Sequence, residues 1–384
     1  MVALATGVAR LPSLTGYRFI LGSAVFLCHV LAAAQFYDNK VLNGLGVIAP
    51  YGVAALSSFF VLSGFVLTWS TRPADALKLF WRRRIVKIFP NHLVTWTFTL
   101  VVFMVIAGPL PLLGAPSPIG ATLTNLFLLQ TLVPKPDYVL SVNGINWSVS
   151  CEVFFYLFFP FLLRPLKRIP DHRLWHWFIA MTVVIAVVPG VVNLAIHAPM
   201  WPLWPPLSFT QTWLVYFFPP VRMPEFILGV LLARIVQTGH WPNLRARWVW
   251  LFAVLVWLGT LILPAEYGRS GIFAVPFGLF IPIIASRDIH GRPSWLRRRA
   301  VVTLGDASYA MYLVHFPLLA VVRYLIGAER AFNAISGTLI IVAMFVLTQS
   351  AGLALYQYVE RPLMRRFSSP RQYRKVNGPV GQSS

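Results

Sequence analysis

The sequence predicts an all-α, polytopic integral membrane protein, a bundle of about ten transmembrane helices with both termini in the cytoplasm. Of its 384 residues, 58% are hydrophobic and 11% are charged, and the mean hydropathy is +0.70. Soluble domains have about 25% charged residues, so a water-soluble enzyme is excluded. The net charge of +21 indicates anionic lipid headgroups or a polyanionic substrate rather than nucleic acid, because the basic residues lie between apolar runs.

Apolar runs long enough to cross a bilayer, about 20 residues each, recur along the whole chain. They predict spans near 17–36, 46–69, 89–112, 149–165, 176–197, 212–233, 247–264, 270–286, 303–324 and 333–358. A shorter run at 121–133 favours an interfacial or re-entrant segment. We therefore predict a single transmembrane domain over residues 1–365 and a disordered cytoplasmic tail over 366–384.

The basic residues orient this bundle. When the N-terminus is placed inside, most of the 32 Lys and Arg residues fall in inner segments. Cytoplasmic loops carry such an excess of positive charge. The pattern therefore favours an even number of spans in the cell (inner or cytoplasmic) membrane, with the lipid bilayer as an obligatory partner.

Titratable residues within the predicted spans are candidates for function, since burying one in lipid costs several kcal/mol unless it is paired or hydrated. His29 lies inside the first predicted span and Arg18 near its inner end. They are eleven residues apart, which places them on one helix face at a separation of about 16 Å. Other such residues are Glu152, Arg222, Glu225 and His315, with Asp306 and Glu360 near span ends.

Most of the residues other than Arg18 and His29 have a simple structural alternative. The alternatives are packing for His315, mutual pairing for Arg222 with Glu225, helix capping for Asp306, and an ion pair with Arg361 for Glu360. The sequence leaves them open. Arg18 with His29 is harder to explain by structure alone, because both are placed on one face of an apolar helix.

A second distinct feature is the basic stretch KLFWRRRIVKIFP at 78–90, which contains Arg82, Arg83, Arg84 and Lys87. Arginine forks bind phosphate in a bidentate manner. The stretch therefore predicts a cytoplasmic phosphate site, from which a polyphosphate compound would send its neutral arm between the helices. A topology determinant or lipid contact is the alternative.

Seven motifs follow one another in the order typical of a known family. They are LPSLTGYRFILGSAVFLCHV with Arg18 and His29, SSFFVLSGFVLT, WRRRIVKIFP, NWSVSCEVFFYLFFP, RMPEFILGVLLA, LGDASYAMYLVHFP and YVERP. Together they resemble the membrane acyltransferase-3 family over most of the chain. Two positions depart from the family pattern: Thr15 stands where the opening motif usually has Asp, and Lys87 where the basic motif often has Arg.

The resemblance implies an O-acyltransferase that moves an acyl group from acyl-CoA to a hydroxyl of a sugar-containing acceptor. It implies His29 as the catalytic base, with Glu152 orienting it or positioning the acceptor. The residues expected to bind acyl-CoA are Arg18, Arg82, Arg83, Arg84 and Lys87. Those expected to bind substrate are Ser63, Trp147, Arg222, Glu225 and His315. Acyl-CoA is expected as a donor substrate, with no permanently bound cofactor and no metal, since the histidines lack ligand spacing.

The acceptor is inferred from finer resemblance. The overall character of the chain and FPNHLVTW at 89–96 resemble the branch that acylates macrolide antibiotics, so a macrolide or other glycosylated secondary metabolite is expected. Sugars of the cell envelope or of exopolysaccharides are the alternative acceptors. A proton-coupled exporter is the alternative from another class, although repeated halves, which many transporters show, are not evident.

Overall fold

The computed structural model describes residues 10–48, 51–71, 76–106 and 116–368. Regular structure in these ranges is helical, which confirms the predicted fold class. The helices are α1 (Pro12–His29), α2 (Lys40–Ile48), α3 (Tyr51–Ser70), α4 (Leu77–Ile106), α5 (Ile119–Leu126), α6 (Pro136–Val139), α7 (Asn146–Lys167), α8 (Leu174–Ala195), α9 (Phe209–Thr212), α10 (Pro219–Gln237), α11 (Ala246–Ile262), α12 (Ala265–Arg269), α13 (Ala274–Gly278), α14 (Phe280–Ile289), α15 (Arg299–Asp306), α16 (Ser308–Ile326), α17 (Ala334–Leu355) and α18 (Arg361–Phe367). Of the predicted tail, residues 366 and 367 belong to α18, and 369–384 lie outside the described residues.

Nine helical segments in the described ranges are long and apolar enough to cross a membrane. The 17-residue α11 occupies the remaining predicted span and is about 26 Å long. Before it, the carbonyl of His240 accepts a hydrogen bond from Trp175, at the start of α8. After it, Glu266 accepts one from Asn193, near the end of α8. The helix α11 therefore also runs from one end of the bundle to the other, as the sequence predicted.

The predicted third span, 89–112, begins later in the chain than the helix that forms it. The helix α4 starts at Leu77 and has 30 residues, so it is about 45 Å long and includes the whole basic stretch. Lys and Arg are good helix formers, and their apolar stems can lie against the bundle while the charges reach the headgroups. The basic stretch is thus the first part of a membrane helix rather than a loop before one. The predicted end at 107–112 lies outside the described residues.

The apolar segment near 121–133 forms the eight-residue α5 and a short 3-10 turn at Gln130–Leu132, too short to cross a bilayer. Buried polar side chains hold it inside the bundle. His92 on α4 lies 3.1 Å from the carbonyl oxygen of Asn125, and the amide of Asn146 donates to the Asn125 side chain at 3.2 Å. The segment therefore joins the outer parts of α4 and α7.

Close helix packing at the centre depends on two glycines. A Cβ on Gly229 of α10 would meet the carbonyl oxygen of Val61 on α3, and a Cβ on Gly64 of α3 would meet that of Phe226 on α10. Small residues let membrane helices approach each other in this way. The contact fixes α3 against α10 and thereby positions the polar residues on both.

The helix α1, which carries Arg18 and His29, is anchored at its start by another helix. Its N-cap, Leu11, offers no side-chain cap. Instead, Asp288 on α14 accepts hydrogen bonds from the backbone N–H and the hydroxyl of Ser13, both at 2.8 Å. A carboxylate also complements the positive end of the helix dipole. This contact ties the register of α1 to α14.

Candidate active site

His29 and His315 form a hydrogen-bonded pair. The Nδ1 atom of His29 lies 2.9 Å from Nε2 of His315, although the two residues are 286 positions apart. His315 is 1% exposed, and Phe316 packs edge-on against the His29 ring at 5.1 Å. His29 is the eighteenth residue of α1, about 26 Å along the helix from Pro12. In the predicted orientation, the pair therefore lies in the outer half of the bundle.

The surroundings of His315 determine where the protons lie. Its Nδ1 atom contacts the carbonyl oxygen of Tyr312 at 2.5 Å, and a carbonyl can only accept, so Nδ1 carries the hydrogen. In a neutral ring Nε2 is then an acceptor. His29 must donate from its Nδ1, which leaves the lone pair of its Nε2 for chemistry. This tautomer is the one that a general base requires.

Glu152 does not supply the partner of His29 that the sequence predicted. Its Oε1 accepts a hydrogen bond from the hydroxyl of Ser63 at 3.2 Å and another from that of Tyr156. The Ser63 hydroxyl also lies 3.0 Å from the Tyr156 hydroxyl. The reason is position: Glu152 lies in the second turn of α7 and contacts α3, whereas His315 on α16 contacts α1. The described hydrogen-bond partner of His29 is therefore His315, and the other role considered for Glu152, positioning the acceptor, stays a prediction.

A hydroxyl pair lies between Glu152 and the histidines. The Ser148 and Tyr312 hydroxyls are 2.6 Å apart, and Tyr312 donates to the carbonyl of Ile145 at 3.0 Å. Tyr312 lies one turn before His315 on α16, within electrostatic range of Glu152. Polar side chains thus continue through the bundle from Glu152 to the histidine pair.

The predicted cations gather at the inner end of this polar path. The guanidinium of Arg84 lies 5.6 Å from the ring centres of both Phe80 and Tyr156. Arg83, Arg18 and Glu152 are all within its electrostatic range. Arg82 and Arg83 are half-buried on α4. The fold therefore brings Arg18 from α1 to the basic stretch of α4, as the sequence predicted.

Lys87 has a protein partner. Its Nζ atom lies 2.9 Å from Glu360 Oε1, and the amide of Asn91 donates to Glu360 Oε2 at 2.6 Å. Glu360 thus pairs with Lys87 rather than with the neighbouring Arg361. Asp306 makes no side-chain cap for α16, contrary to the capping alternative. Burial raises the pKa of its carboxyl, and nearby Arg18 and Lys87 oppose that shift.

Arg222 and Glu225 form a fully buried ion pair on α10. Arg222 Nε lies 2.7 Å from Glu225 Oε1, and a second guanidinium nitrogen donates to Glu225 Oε2 at 3.2 Å. Further donation goes to the Ser57 hydroxyl at 3.1 Å and to the Val215 carbonyl at 3.4 Å. The pairing alternative from the sequence is therefore observed, with partners on α3 as well.

An aromatic cluster connects this ion pair with the helix of His29. The ring of Trp147 lies 4.4 Å from that of Tyr216, and the Arg222 guanidinium lies 5.7 Å from the Tyr216 ring. Tyr216 is also within electrostatic range of Cys28, the residue before His29. Trp147, Arg222 and Glu225 are thus brought near α1.

Three participants are missing from the residues predicted for the site: Tyr156, Tyr312 and Asn91. Of the three, Tyr156 is the one that the sequence could most readily have indicated, because it follows Glu152 by four residues, one helical turn. Tyr312 precedes His315 by three residues, which gives the same kind of signal. Asn91 acts through Glu360, which is 269 residues away, so no local pattern identifies it.

Comparisons with known proteins agree with this arrangement. The family model described as an acyltransferase domain matches residues 11–356. The acyltransferase MdmB of Streptomyces mycarofaciens is 36% identical over 366 residues, which cover 93% of this chain and 92% of that protein. No solved structure matches significantly.

More distant relatives share the same region. The exopolysaccharide production protein ExoZ of Rhizobium meliloti is 28% identical over 82% of this chain and 90% of its own length. The O-acetyltransferase OatA of Staphylococcus aureus is 23% identical over 93% of this chain, which covers only 57% of that protein. With its ordered motifs, hydrogen-bonded histidine pair and helical bundle, the chain belongs to the acyltransferase-3 family and is a membrane O-acyltransferase.

Proposed function

We propose that the protein transfers a short acyl group, such as acetyl or propionyl, from cytoplasmic acyl-CoA to a hydroxyl of a macrolide or another glycosylated secondary metabolite. The observation that carries this proposal is the polar path between two sites on one helix. Arg18 lies in a cluster of cations at the inner end, and His29 is hydrogen-bonded to His315 about 16 Å further along α1.

The donor would enter from the cytoplasmic membrane surface. Its phosphates would contact Arg18, Arg83 and Arg84, because guanidinium groups bind phosphate oxygens in pairs. The pantetheine arm is long and uncharged, so it can extend between helices where the phosphates cannot. The hydroxyls of Ser63 and Tyr156 lie beside Glu152 along this route. An arm that follows the route would bring the thioester near His29.

At the outer end, the chemistry requires a base. His29 Nε2 accepts the proton of the acceptor hydroxyl as its oxygen attacks the thioester carbonyl. The C–S bond breaks, and the proton passes to the leaving sulfur, giving free CoA and the ester. His315 accepts the Nδ1–H of His29 throughout and stabilises the imidazolium that forms in between.

The acceptor would bind beside the aromatic cluster of Trp147 and Tyr216, with Arg222 and Glu225 shaping that wall from behind. A macrolide-type acceptor is supported by the sequence resemblance and by the 36% identity with the Streptomyces acyltransferase. Cell-envelope or exopolysaccharide sugars are the second candidate, favoured by the names of the Staphylococcus and Rhizobium relatives.

The proposal is tested by release of free CoA from purified protein in nanodiscs. Acetyl-CoA and propionyl-CoA are supplied with a panel of macrolides, other glycosides and envelope oligosaccharides, and thiol release and acylated product are both measured. We expect release that depends on a macrolide acceptor. Release that occurs only with envelope sugars would contradict the macrolide acceptor and favour the second candidate.

His29→Ala is the matched variant. We expect its turnover to fall by about 10²-fold or more, the size of a general-base contribution, while acyl-CoA binding stays unchanged. Equal turnover in the two proteins would exclude His29 as the base. Absence of acyl-CoA binding by the folded wild type would overturn the proposed donor.

A further inference from the structure

A buried carboxylate lies at the outer end of the bundle, apart from the residues discussed so far. Glu266 on α12 is 1% exposed, and the structure pairs it with no cation among the residues that it describes. Its Oε2 atom is buried without a hydrogen-bond partner. A buried charge of this kind is costly unless another charge compensates it.

The other oxygen is held in a fixed position by two amides. Glu266 Oε1 accepts from Asn193 Nδ2 at 3.1 Å and from Gln211 Nε2 at 3.0 Å. The backbone N–H of Ser208 donates to Gln211 Oε1 at 2.8 Å, and the Ile196 carbonyl accepts from Gln211 Nε2 at 3.0 Å. These contacts fix which end of the Gln211 amide faces Glu266. The carboxylate is therefore preorganised as an acceptor with one oxygen unused.

The cation on the same helix is engaged elsewhere. Arg269, three residues after Glu266, lies with its guanidinium 4.9 Å from the ring of Trp204 and donates to the carbonyl of Pro205 at 3.4 Å. Trp204 in turn packs against Trp201 at 5.7 Å. An aromatic surface, to which cations bind through ring faces, thus lies against α12, the helix that carries the carboxylate.

This surface leads towards the histidine pair. The rings of Trp204 and Tyr216 are 5.1 Å apart. Tyr216 is within electrostatic range of both Arg269 and Cys28, and Cys28 precedes His29. A molecule lying along Trp204 and Tyr216 would therefore reach from the region of Glu266 to the region of the proposed base.

We propose that Glu266, with Asn193 and Gln211, binds a protonated amino group of the acceptor. The inference rests on the proposed function and deepens it: the acceptor is a hydroxyl compound that also carries an amine, and it binds from the outer side of the bundle. An ammonium N–H donates to Glu266 Oε2, a charge-assisted hydrogen bond, and supplies the positive charge that the carboxylate lacks.

The test uses two acceptors that differ only at nitrogen, a glycoside with a free amino sugar and its neutral N-acetyl derivative. For wild-type protein in nanodiscs, we expect a KM at least about tenfold lower for the amine, the size of one charge-assisted hydrogen bond. Glu266→Gln, which keeps the shape and removes the charge, should abolish that preference by raising KM for the amine alone, with kcat unchanged.

Glu329→Gln is the control, because Glu329 is an exposed carboxylate on the loop between α16 and α17, also at the outer end. It should leave both KM values unchanged. Binding of the amine without donor is measured separately, as the shift of the midpoint of thermal unfolding with amine concentration. The shift should be present in wild type and in Glu329→Gln and lost in Glu266→Gln.

Two results would overturn the amine site: no preference for the amine in wild type, or a preference that survives in Glu266→Gln. Glu266→Asp covers a failure of the Gln variant to fold, since it keeps the charge and should retain part of the preference. If wild type binds the amine through Glu266 but acylates neither compound, the proposed acceptor reaction fails while the site stands.

Discussion

Arg222–Glu225 and His29–His315 are two polar pairs inside the bundle that differ in what they leave unpaired. The ion pair is closed on itself: Arg222 reaches both oxygens of Glu225 and also bonds to Ser57. The histidine pair is open at one end. Its chain of donors runs from His29 to His315 to a carbonyl and leaves His29 Nε2 with a lone pair.

The difference distinguishes a polar pair that stabilises the fold from one that is available for a reaction. A polar group inside a membrane protein must be satisfied, so its presence alone does not identify an active site. A group whose orientation is fixed by its neighbours, but which keeps one unused donor or acceptor, is ready to act on a substrate. By this criterion we expect His29 to act on the substrate, and Arg222 and Glu225 to hold α10 against α3.

The largest effect is expected from breaking the closed pair. Arg222→Ala leaves the Glu225 carboxylate buried without its cation, which costs about 3–5 kcal/mol. We expect little folded protein, measured as the yield of monodisperse protein in detergent and the midpoint of its thermal unfolding.

The double variant Arg222→Met with Glu225→Leu is the matched control, since it removes both charges and keeps apolar volume. It should recover most of the folded yield and keep acceptor-dependent CoA release within a few-fold of wild type. A folded double variant that has lost turnover would instead give the ion pair a direct part in substrate binding.

The next effect concerns the open pair. In His315→Leu the Nδ1–H of His29 loses its acceptor, so the reactive tautomer is no longer selected. We expect kcat to fall by about 10²-fold, with the KM for acyl-CoA unchanged. Steady-state kinetics of CoA release measure both quantities.

His315→Gln sharpens this prediction, because its side-chain carbonyl can still accept from His29. It should retain more activity than His315→Leu while folding equally well. Equal losses in the two variants would indicate that His315 only packs.

The wild-type rate should also rise with pH as His29 loses its proton, and a flat profile in wild type and in His29→Gln would contradict the role of His29 as the base.

Much of the fold could be predicted from sequence because membrane spans are a matter of local composition. Of the ten predicted spans, nine correspond in the described ranges to helices long and apolar enough to cross a membrane, and the tenth corresponds to the 17-residue α11. The start of α4 at Leu77 was missed because the charges of Arg82, Arg83 and Arg84 mask a helix that continues out of the bilayer. Hydropathy measures where lipid ends, not where a helix ends.

The site was predictable only in part, for a different physical reason. His29 and Arg18 share one helix, so their spacing gave their relation directly. The partners of Glu152 and His29 depend on how α1, α3, α7 and α16 pack against each other. Those contacts join residues 89 and 286 positions apart, and a single sequence holds no local trace of them.

A smaller effect is expected at the half-buried cations of the basic stretch. Arg84→Ala should raise the KM for acyl-CoA by about tenfold, the value of one charge-assisted contact, and the increase should shrink at high salt. The exposed Arg292, in the loop after α14, provides the control Arg292→Ala, which should leave the KM unchanged. An unchanged KM in Arg84→Ala as well would assign the basic stretch to topology and lipid contact.

The smallest effect is expected at the start of α1, where Asp288 supplies a cap that the helix itself lacks. Asp288→Asn removes a charge that faces the helix dipole and the guanidinium of Arg297, 3.5 Å away. Loss of a cap costs about 1 kcal/mol, so the midpoint of thermal unfolding should fall by a few degrees.

Arg18 and His29 both depend on the position of α1, so a register change would lower donor affinity and kcat together. Because α1 is also held along its length by α3, α15 and α16, we expect both kinetic constants to stay within about twofold of wild type. A large loss of kcat in a variant that is only slightly destabilised would show that the cap controls the separation of the two sites.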